Sequence, residues 1–169
     1  TDFRLTPEYT VPKGHKTKYN ANVDAITLLK KIESEGRLAT PAEQETLAQY
    51  TGWGGLPQAF QWSRDWDKEY TQLSEALTKD EYAAARASTP NAHYTDPATI
   101  RAMYDGLKHL GFKGGKLLEP GAGIGHFLGS IPGDLRAKVQ KTAVEMDSLS
   151  ARITRQLYQR ANVLHSAYQ

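Results

Sequence analysis

One stretch of the chain, KLLEPGAGIGHFL from Lys116 to Leu128, constrains the fold more than any other. A short apolar run ends in an acid, glycines then crowd a turn, and an apolar segment that can be helical follows. Glycine takes positive φ readily and lets a ligand lie close to main-chain N–H groups. The pattern predicts a strand, a nucleotide-cradling loop and a helix, with a small polar ligand bound at the loop.

Further strands follow this loop. The sequence predicts strands at Lys116–Glu119, Lys141–Met146 and from Val163 to about residue 166, with a helix at Leu149–Tyr158. Strands that alternate with helices in this way lie parallel and side by side. The prediction is therefore an incomplete α/β half-domain over residues 89–169. Because open α/β sheets are usually larger than three strands, we expect a fragment of a longer protein.

The first half of the chain, residues 1–88, predicts a helical region that begins with an extended arm up to about residue 18. Apolar residues recur at helical spacing in the next stretch, and Gly36 is placed to end that helix. Capping boxes at Thr40 and Thr78 predict two further helix starts. For Trp53, in a glycine-rich turn, a core position is favoured over a base-stacking surface. For the arm, a solvated terminal segment is favoured over contact with phosphates.

Composition excludes several kinds of site. The 169 residues include no cysteine, so disulfides and thiolate metal sites are impossible. Five scattered histidines lack ligand spacing, and no metal is expected. A formal net charge of +2 permits a nucleic-acid partner without requiring one. No apolar run reaches membrane-spanning length, so we expect a cytoplasmic protein with no membrane partner.

The glycine pattern discriminates between ligands. The dinucleotide fingerprint G-x-G-x-x-G is incomplete, because its third glycine is replaced by His126 or Leu128 in the two possible registers. No Lys-Ser/Thr pair follows, which excludes a P-loop. Glu145 lies 20 residues after Gly125, at the end of the next predicted strand, where a carboxylate can accept both hydroxyls of a ribose. Asp147 is better placed as the N-cap of the following helix.

Several segments resemble one enzyme family. The segment from Glu119 to Leu128 resembles the first motif of S-adenosylmethionine-dependent methyltransferases, in the form typical of adenine-N6 DNA methyltransferases. Ala143–Asp147 is similar to their second motif, and residues 92–100 resemble the segment that precedes the first motif. Two more segments, Asn22–Ile26 and Gly52–Leu56, resemble the methylase portion of large helicase–methylase proteins of phages and mobile elements. The resemblance begins at about residue 18.

The resemblance implies a partial Rossmann-like class I methyltransferase sheet that binds S-adenosyl-L-methionine. It places Glu119 near the amino-acid part of the cofactor, Glu145 on the ribose, Met146 against the adenine, and Tyr94 with Thr95 at the methionine part. The implied cofactor-binding residues are Tyr94, Thr95, Glu119, Pro120, Gly121, Gly123, Gly125, Glu145 and Met146. Implied partners are DNA, through the complete protein, and the remainder of a longer polypeptide or a partner chain.

The sequence lacks the motif that the family uses for methyl transfer. In the family, an Asn/Asp-Pro-Pro-aromatic motif acts on a base flipped out of the helix, and the 169 residues contain none. No catalytic residue is therefore assigned, and the chain alone is expected to be inactive. Two alternatives stay open: a non-catalytic DNA- or protein-binding module in phage defence or counter-defence, and, more weakly, a fragment of an NAD-dependent oxidoreductase.

Overall fold

The computed structural model describes residues 1–90 and 94–167, and the chain divides into two compact units. A helical unit comprises Thr10–His93. An α/β unit comprises Thr1–Tyr9 together with Tyr94–Gln169. The helical unit is thus inserted into the chain of the α/β unit, between residues 9 and 94.

The helical unit contains four α-helices in its described part: α1 (His15–Ser34), α2 (Pro41–Leu47), α3 (Asp67–Ala76) and α4 (Lys79–Ser88). Two short 3₁₀ turns, Pro57–Phe60 and Arg64–Trp66, precede α3. Both predicted capping boxes are confirmed, because the hydroxyls of Thr40 and Thr78 accept from the third amide of α2 and of α4. A cap of this kind satisfies amides that the first helical turn leaves without partners.

The core of the helical unit is centred on Trp53. Its side chain is only 1% exposed, and its ring meets the rings of Tyr19 and Phe60 edge-on, at centroid distances of 6.2 and 5.2 Å. Edge-to-face contacts are a favourable geometry for aromatic pairs. The predicted core position of Trp53 is therefore confirmed.

Helix α1 and the glycine-rich turn are joined by one buried amide. Asn22 Nδ2 donates to the carbonyl of Gly52 at 2.6 Å, and Asn22 Oδ1 accepts from the amide of Thr51 at 2.8 Å. Asn22 is completely buried. The two N-terminal segments singled out in the sequence are therefore in direct contact, although they are 30 residues apart.

The α/β unit carries a three-stranded parallel sheet. Its elements are α5 (Pro97–His109), β1 (Gly115–Pro120), α6 (His126–Gly129), α7 (Gly133–Arg136), β2 (Val139–Glu145), α8 (Ser148–Leu157) and β3 (Asn162–His165). The strands lie in the order β1-β2-β3, and Leu118 is paired with Thr142 and Val144 with Leu164. The three predicted strands and their parallel arrangement are confirmed, with β2 starting two residues earlier than expected.

The segment after the glycine loop differs from the expected helix. It forms a single turn, α6, and a second short turn, α7, follows after Pro132. A residue before proline is disfavoured in the helical conformation, so the helix does not continue through Ile131, which precedes Pro132. Ile131 then packs into a buried cluster with Ile100, Tyr104, Leu135 and Val139.

The first nine residues correct the expectation of a solvated arm. This N-terminal strap (residues 1–9) packs on the α/β unit, with the Phe3 amide donating to Leu157 O at 2.7 Å and the Leu5 amide to Gly129 O at 3.0 Å. Phe3 is buried, and Asp2 forms a largely buried ion pair with Lys141. Burial of the Phe3 ring stabilises the docked strap over a solvated one, and the ion pair leaves neither buried charge without a partner.

No helix in the described part of the chain combines the length and the apolar character that crossing a bilayer requires.

Candidate functional site

The loop between β1 and α6 keeps much of its hydrogen bonding inside the protein. The Ala122 amide donates to Val144 O at 2.9 Å, the Gly123 amide to Glu145 Oε2 at 2.6 Å, and the Gly125 amide to Ala122 O at 2.8 Å. An anion-binding loop needs amides that point at the ligand. These three amides are engaged elsewhere, so they do not form a phosphate cradle.

The three glycines of the loop all have positive φ, but their surroundings differ. A Cβ on Gly125 would lie 2.4 Å from the Tyr158 ring, and a Cβ on Gly123 would lie 2.6 Å from the Tyr94 ring. A Cβ on Gly121 would meet nothing within 4 Å. Close packing thus explains the glycines at 123 and 125, and Gly121 is the one that borders open space.

Glu145, at the end of β2, is held against the loop. Its Oε2 accepts from the Gly123 amide, and its Oε1 accepts from the Asp147 amide at 2.7 Å. Each carboxylate oxygen retains a further lone pair. Asp147 accepts from the Ser150 amide at 2.8 Å, which confirms its predicted role as the N-cap of α8. Met146, next in the chain, is 71% exposed.

Glu119, at the end of β1, is the second carboxylate of the site. The amides of Phe127 and Leu128 donate to this carboxyl group, yet its buried Oε2 has no hydrogen-bond partner among the described residues. Burial raises the pKa of Glu119 to about 8, and the nearby charge of Glu145 acts in the same direction. Removal from water disfavours the charged form, and here it outweighs the two amide hydrogen bonds, which favour that form.

A groove of about 610 Å³ lies between β1 and α5. Four of the predicted site residues line it: Thr95, Glu119, Pro120 and Gly121. The remaining lining residues are apolar or small: Met103, Tyr104, Gly106, Leu107, Leu110, Leu117, Leu118 and Phe127. Glu119 is therefore the acidic side chain of this groove among the described residues. Its raised pKa leaves it mainly protonated near pH 7 while the groove is empty, and a cationic ligand beside it would favour the ionised form.

Tyr94 covers the loop at Gly123. Its ring lies where a Gly123 side chain would be, and its hydroxyl is hydrogen-bonded to the Ser150 side chain. Burial raises the pKa of Tyr94 well above its usual range. The loop is consequently approached from outside at Gly121, while its surface at Gly123 is covered by the protein's own ring.

The predicted site residues therefore fall into two contacting groups. Thr95, Glu119, Pro120 and Gly121 line the groove, and Tyr94, Gly123 and Glu145 contact one another through the loop. Gly125 is packed under α8, and Met146 is exposed beside Glu145. Met146 and Glu145 are not part of the groove lining described above.

Sequence reasoning missed two residues near the loop. The His126 ring is 6% exposed and contacts the ring of Tyr94 at a centroid distance of 5.2 Å. The second residue is Tyr9, in the strap, whose ring also contacts the His126 ring, at a centroid distance of 5.6 Å. The position of His126 directly after the loop is a signal that was available. Tyr9 lies 117 residues away in the chain, and no local pattern indicates this contact.

Within residues 1–90 and 94–167, no group of three or more metal-ligating side chains is assembled. The comparisons with known proteins add no relative: no protein-family model, no curated protein and no solved structure matches this chain.

Proposed function

We propose that the α/β unit binds S-adenosylmethionine, as the cofactor-binding part of an adenine-N6 DNA methyltransferase. One observation carries the proposal: Glu119 and Glu145 stand at the carboxyl ends of two adjacent parallel strands, with the glycine loop beside them. Ligands of open α/β sheets bind outside the carboxyl ends of the strands. Two acids at that edge favour a ligand that carries positive charge, because such a ligand attracts the Glu145 carboxylate and stabilises the ionised form of Glu119.

The charge of the site supports this cofactor over a dinucleotide. S-adenosylmethionine carries a sulfonium, an ammonium and a carboxylate, and it has no phosphate. A pyrophosphate would meet the Glu145 carboxylate, and three loop amides that could have held it donate within the protein. Like charges at short distance are destabilising. The same observations count against an NAD-dependent oxidoreductase.

The residues present fit the cofactor group by group. The unpartnered Oε2 of Glu119 can accept from the ammonium, and the open space at Gly121 leaves room for the chain of the amino-acid part. The free lone pairs of Glu145 can accept from the ribose hydroxyls. Exposed Met146 offers an apolar surface to the adenine, and Thr95 offers a hydroxyl in the groove.

When bound, the cofactor supplies a methyl group attached to a sulfonium, which is the electrophile of the reaction. The residues of this chain bind and orient it. The assignment to DNA adenine rests on the order of the three motifs, residues 92–100, Glu119–Leu128 and Ala143–Asp147. Because the 169 residues hold no Asn/Asp-Pro-Pro-aromatic motif, the proposal includes no methyl transfer by this chain alone.

Titration calorimetry tests the proposal. We expect the wild-type chain to bind S-adenosylmethionine and S-adenosylhomocysteine and not to bind NAD. Glu145→Ala should weaken both interactions by roughly 100-fold or more, since two charge-assisted hydrogen bonds contribute roughly 1.5–3 kcal/mol each. Glu75→Ala, an exposed acid of α3, is the matched control and should leave affinity unchanged.

Each other outcome points elsewhere. Binding of NAD would contradict the proposal and favour an oxidoreductase fragment. Absence of binding by all three ligands would contradict it and favour a non-catalytic module. A methylation assay on adenine-containing DNA should give no product with this chain, and product formation would overturn the expected need for the missing motif.

A further inference from the structure

The chain leaves and re-enters the α/β unit at two tyrosines that meet the same side chain. Tyr9 is the last residue of the strap, and Tyr94 is the first residue of the α/β unit after the inserted helical unit. Their rings lie 5.6 and 5.2 Å from the ring of His126. Two segments far apart in the sequence are thus brought together on one imidazole.

His126 contributes ring packing rather than strong polar contacts. It is buried, its Nδ1 has no hydrogen-bond partner among the described residues, and its Nε2 lies 3.5 Å from the Tyr9 hydroxyl, at the long limit of a hydrogen bond. Burial lowers the pKa of His126 to about 4, so the ring is neutral near pH 7. Its neighbours meet it through aromatic faces and edges.

The contacts continue from His126 to the glycine loop. The Tyr94 ring lies between His126 and Gly123, so close to the loop that a Cβ on Gly123 would be 2.6 Å from it. The Gly123 amide in turn donates to Glu145. A continuous series therefore runs from Tyr9 through His126 and Tyr94 to the loop whose Gly123 amide holds the Glu145 carboxylate.

We propose that His126 is a positioning residue. It lies between Tyr9 and Tyr94 and holds the Tyr94 ring on the glycine loop. Docking of the N-terminal strap is thereby coupled to cofactor affinity. This inference rests on the proposed function for the part that concerns affinity. A binding surface that is ordered beforehand loses less side-chain freedom when its ligand arrives. Without the His126 ring behind it, the Tyr94 side chain is free to move away from the loop.

The first experiment needs no ligand. In nuclear magnetic resonance spectra we expect a nuclear Overhauser contact between the Tyr94 ring and the Gly123 α-protons, with the ring signals assigned by Tyr94→Phe. The contact should persist in His126→Phe, which restores an aromatic ring, and disappear in His126→Ala and in Tyr9→Ala. Its persistence in both alanine variants would overturn the positioning role.

The second experiment measures affinity for S-adenosylhomocysteine by calorimetry. His126→Ala and Tyr9→Ala should bind about three- to ten-fold more weakly, the cost of ordering one freed side chain on binding. His126→Phe should restore wild-type affinity. Glu8→Ala, which alters an exposed neighbour on the same strap, is the matched control and should leave affinity unchanged.

The two experiments separate the two proposals. If the wild-type chain binds neither S-adenosylmethionine nor S-adenosylhomocysteine, the proposed function fails, and the proton contact still decides whether His126 positions Tyr94. If binding is present and both alanine variants keep wild-type affinity, the coupling is wrong. If His126→Ala does not fold, Tyr9→Ala tests the same series from the strap. A loss of affinity that His126→Phe does not rescue also contradicts the role of ring packing.

Discussion

At the scale of single residues, the glycines of one loop have different physical roles. Gly125 has φ 77° and lies against the ring of Tyr158, the residue that follows α8. Gly121 has φ 69° and borders open space. Both need a backbone conformation that side chains rarely adopt. Only Gly125 also needs the absence of a Cβ for packing. The pattern of glycines in the sequence does not distinguish these two requirements.

A matched pair of substitutions follows from this difference. Gly121→Ala should cost about 1–2 kcal/mol of stability, the strain of alanine at positive φ. Gly125→Ala should cost more than this, because its Cβ would lie 2.4 Å from the Tyr158 ring in addition. Urea titrations followed by the amide cross-peaks of β2 measure both. Equal costs for the two variants would show that the packing at Gly125 relaxes freely.

Glu119 and Glu145 are the same residue type at equivalent strand ends, yet their hydrogen bonding differs. Glu145 receives two backbone amides and is held at the loop, while Glu119 keeps a buried oxygen with no partner in the described structure. The sequence placed both at strand ends, which is enough to predict that they lie near the ligand edge of the sheet. Their hydrogen-bond partners depend on how the loop folds back over the strands.

At the scale of elements, the helical unit depends on a connection between α1 and the Gly52 turn. Asn22 donates to Gly52 and accepts from Thr51, entirely out of contact with water. Removing one partner of a buried hydrogen bond leaves the other without a replacement, which is more costly than the bond itself is favourable. The turn also carries Trp53, so the same contact supports the core.

Asn22→Ala should lower the stability of the helical unit by about 2–3 kcal/mol, because two backbone groups lose their partner. All three tryptophans lie in this unit, so tryptophan fluorescence during urea unfolding reports on it. Asn20→Ala changes the same residue type on the exposed face of the same helix and is the control. An equal effect of the two substitutions would contradict a structural role for the buried amide.

The glycine loop leads into a single helical turn rather than a long helix. Helix α6 has only four residues, so it cannot offer the aligned dipoles of a long helix to a ligand. The electrostatic character of the loop is set by the two carboxyl groups instead. This difference is a further reason why a ligand with positive charge suits the site better than a phosphate.

At the scale of the whole molecule, two buried titratable groups make the stability of the α/β unit depend on pH. The pKa of Glu119 is raised from 4.5 to about 8, so the folded state retains a proton that the unfolded state loses. Its effect on stability is lost as the pH rises from 4.5 to about 8. The pKa of His126 is lowered from 6.5 to about 4, so stability is lost as the pH falls through that interval.

The two effects oppose one another between pH 4.5 and 6.5, and above pH 6.5 Glu119 acts alone. We therefore expect the free energy of unfolding to fall by about 2 kcal/mol between pH 6.5 and 8, at 1.36 kcal/mol per pH unit. Glu119→Gln should remove this fall, since the amide does not titrate. Urea titrations of β2 amide cross-peaks across this pH range provide the measurement, and an unchanged pH dependence in the variant would contradict it.

The sequence by itself determined the local elements of this protein. The capping boxes at Thr40 and Thr78, the N-cap at Asp147 and the positions of the three strands follow from residues within a few positions of one another. The same holds for the two acids at strand ends, since each strand's pattern shows where it stops.

Only the tertiary structure decided which distant residues meet. The docking of the strap on the α/β unit, the contact between Asn22 and Gly52, and the ring contacts of Tyr9 and Tyr94 with His126 join residues that are far apart in the chain. Such contacts depend on the complementary shapes of packed surfaces, which leave no periodic signal in the sequence. The three loop glycines show the same effect. Tyr94 packs against Gly123 and Tyr158 packs against Gly125, so only Gly121 of the three borders open space, and no local pattern indicates this.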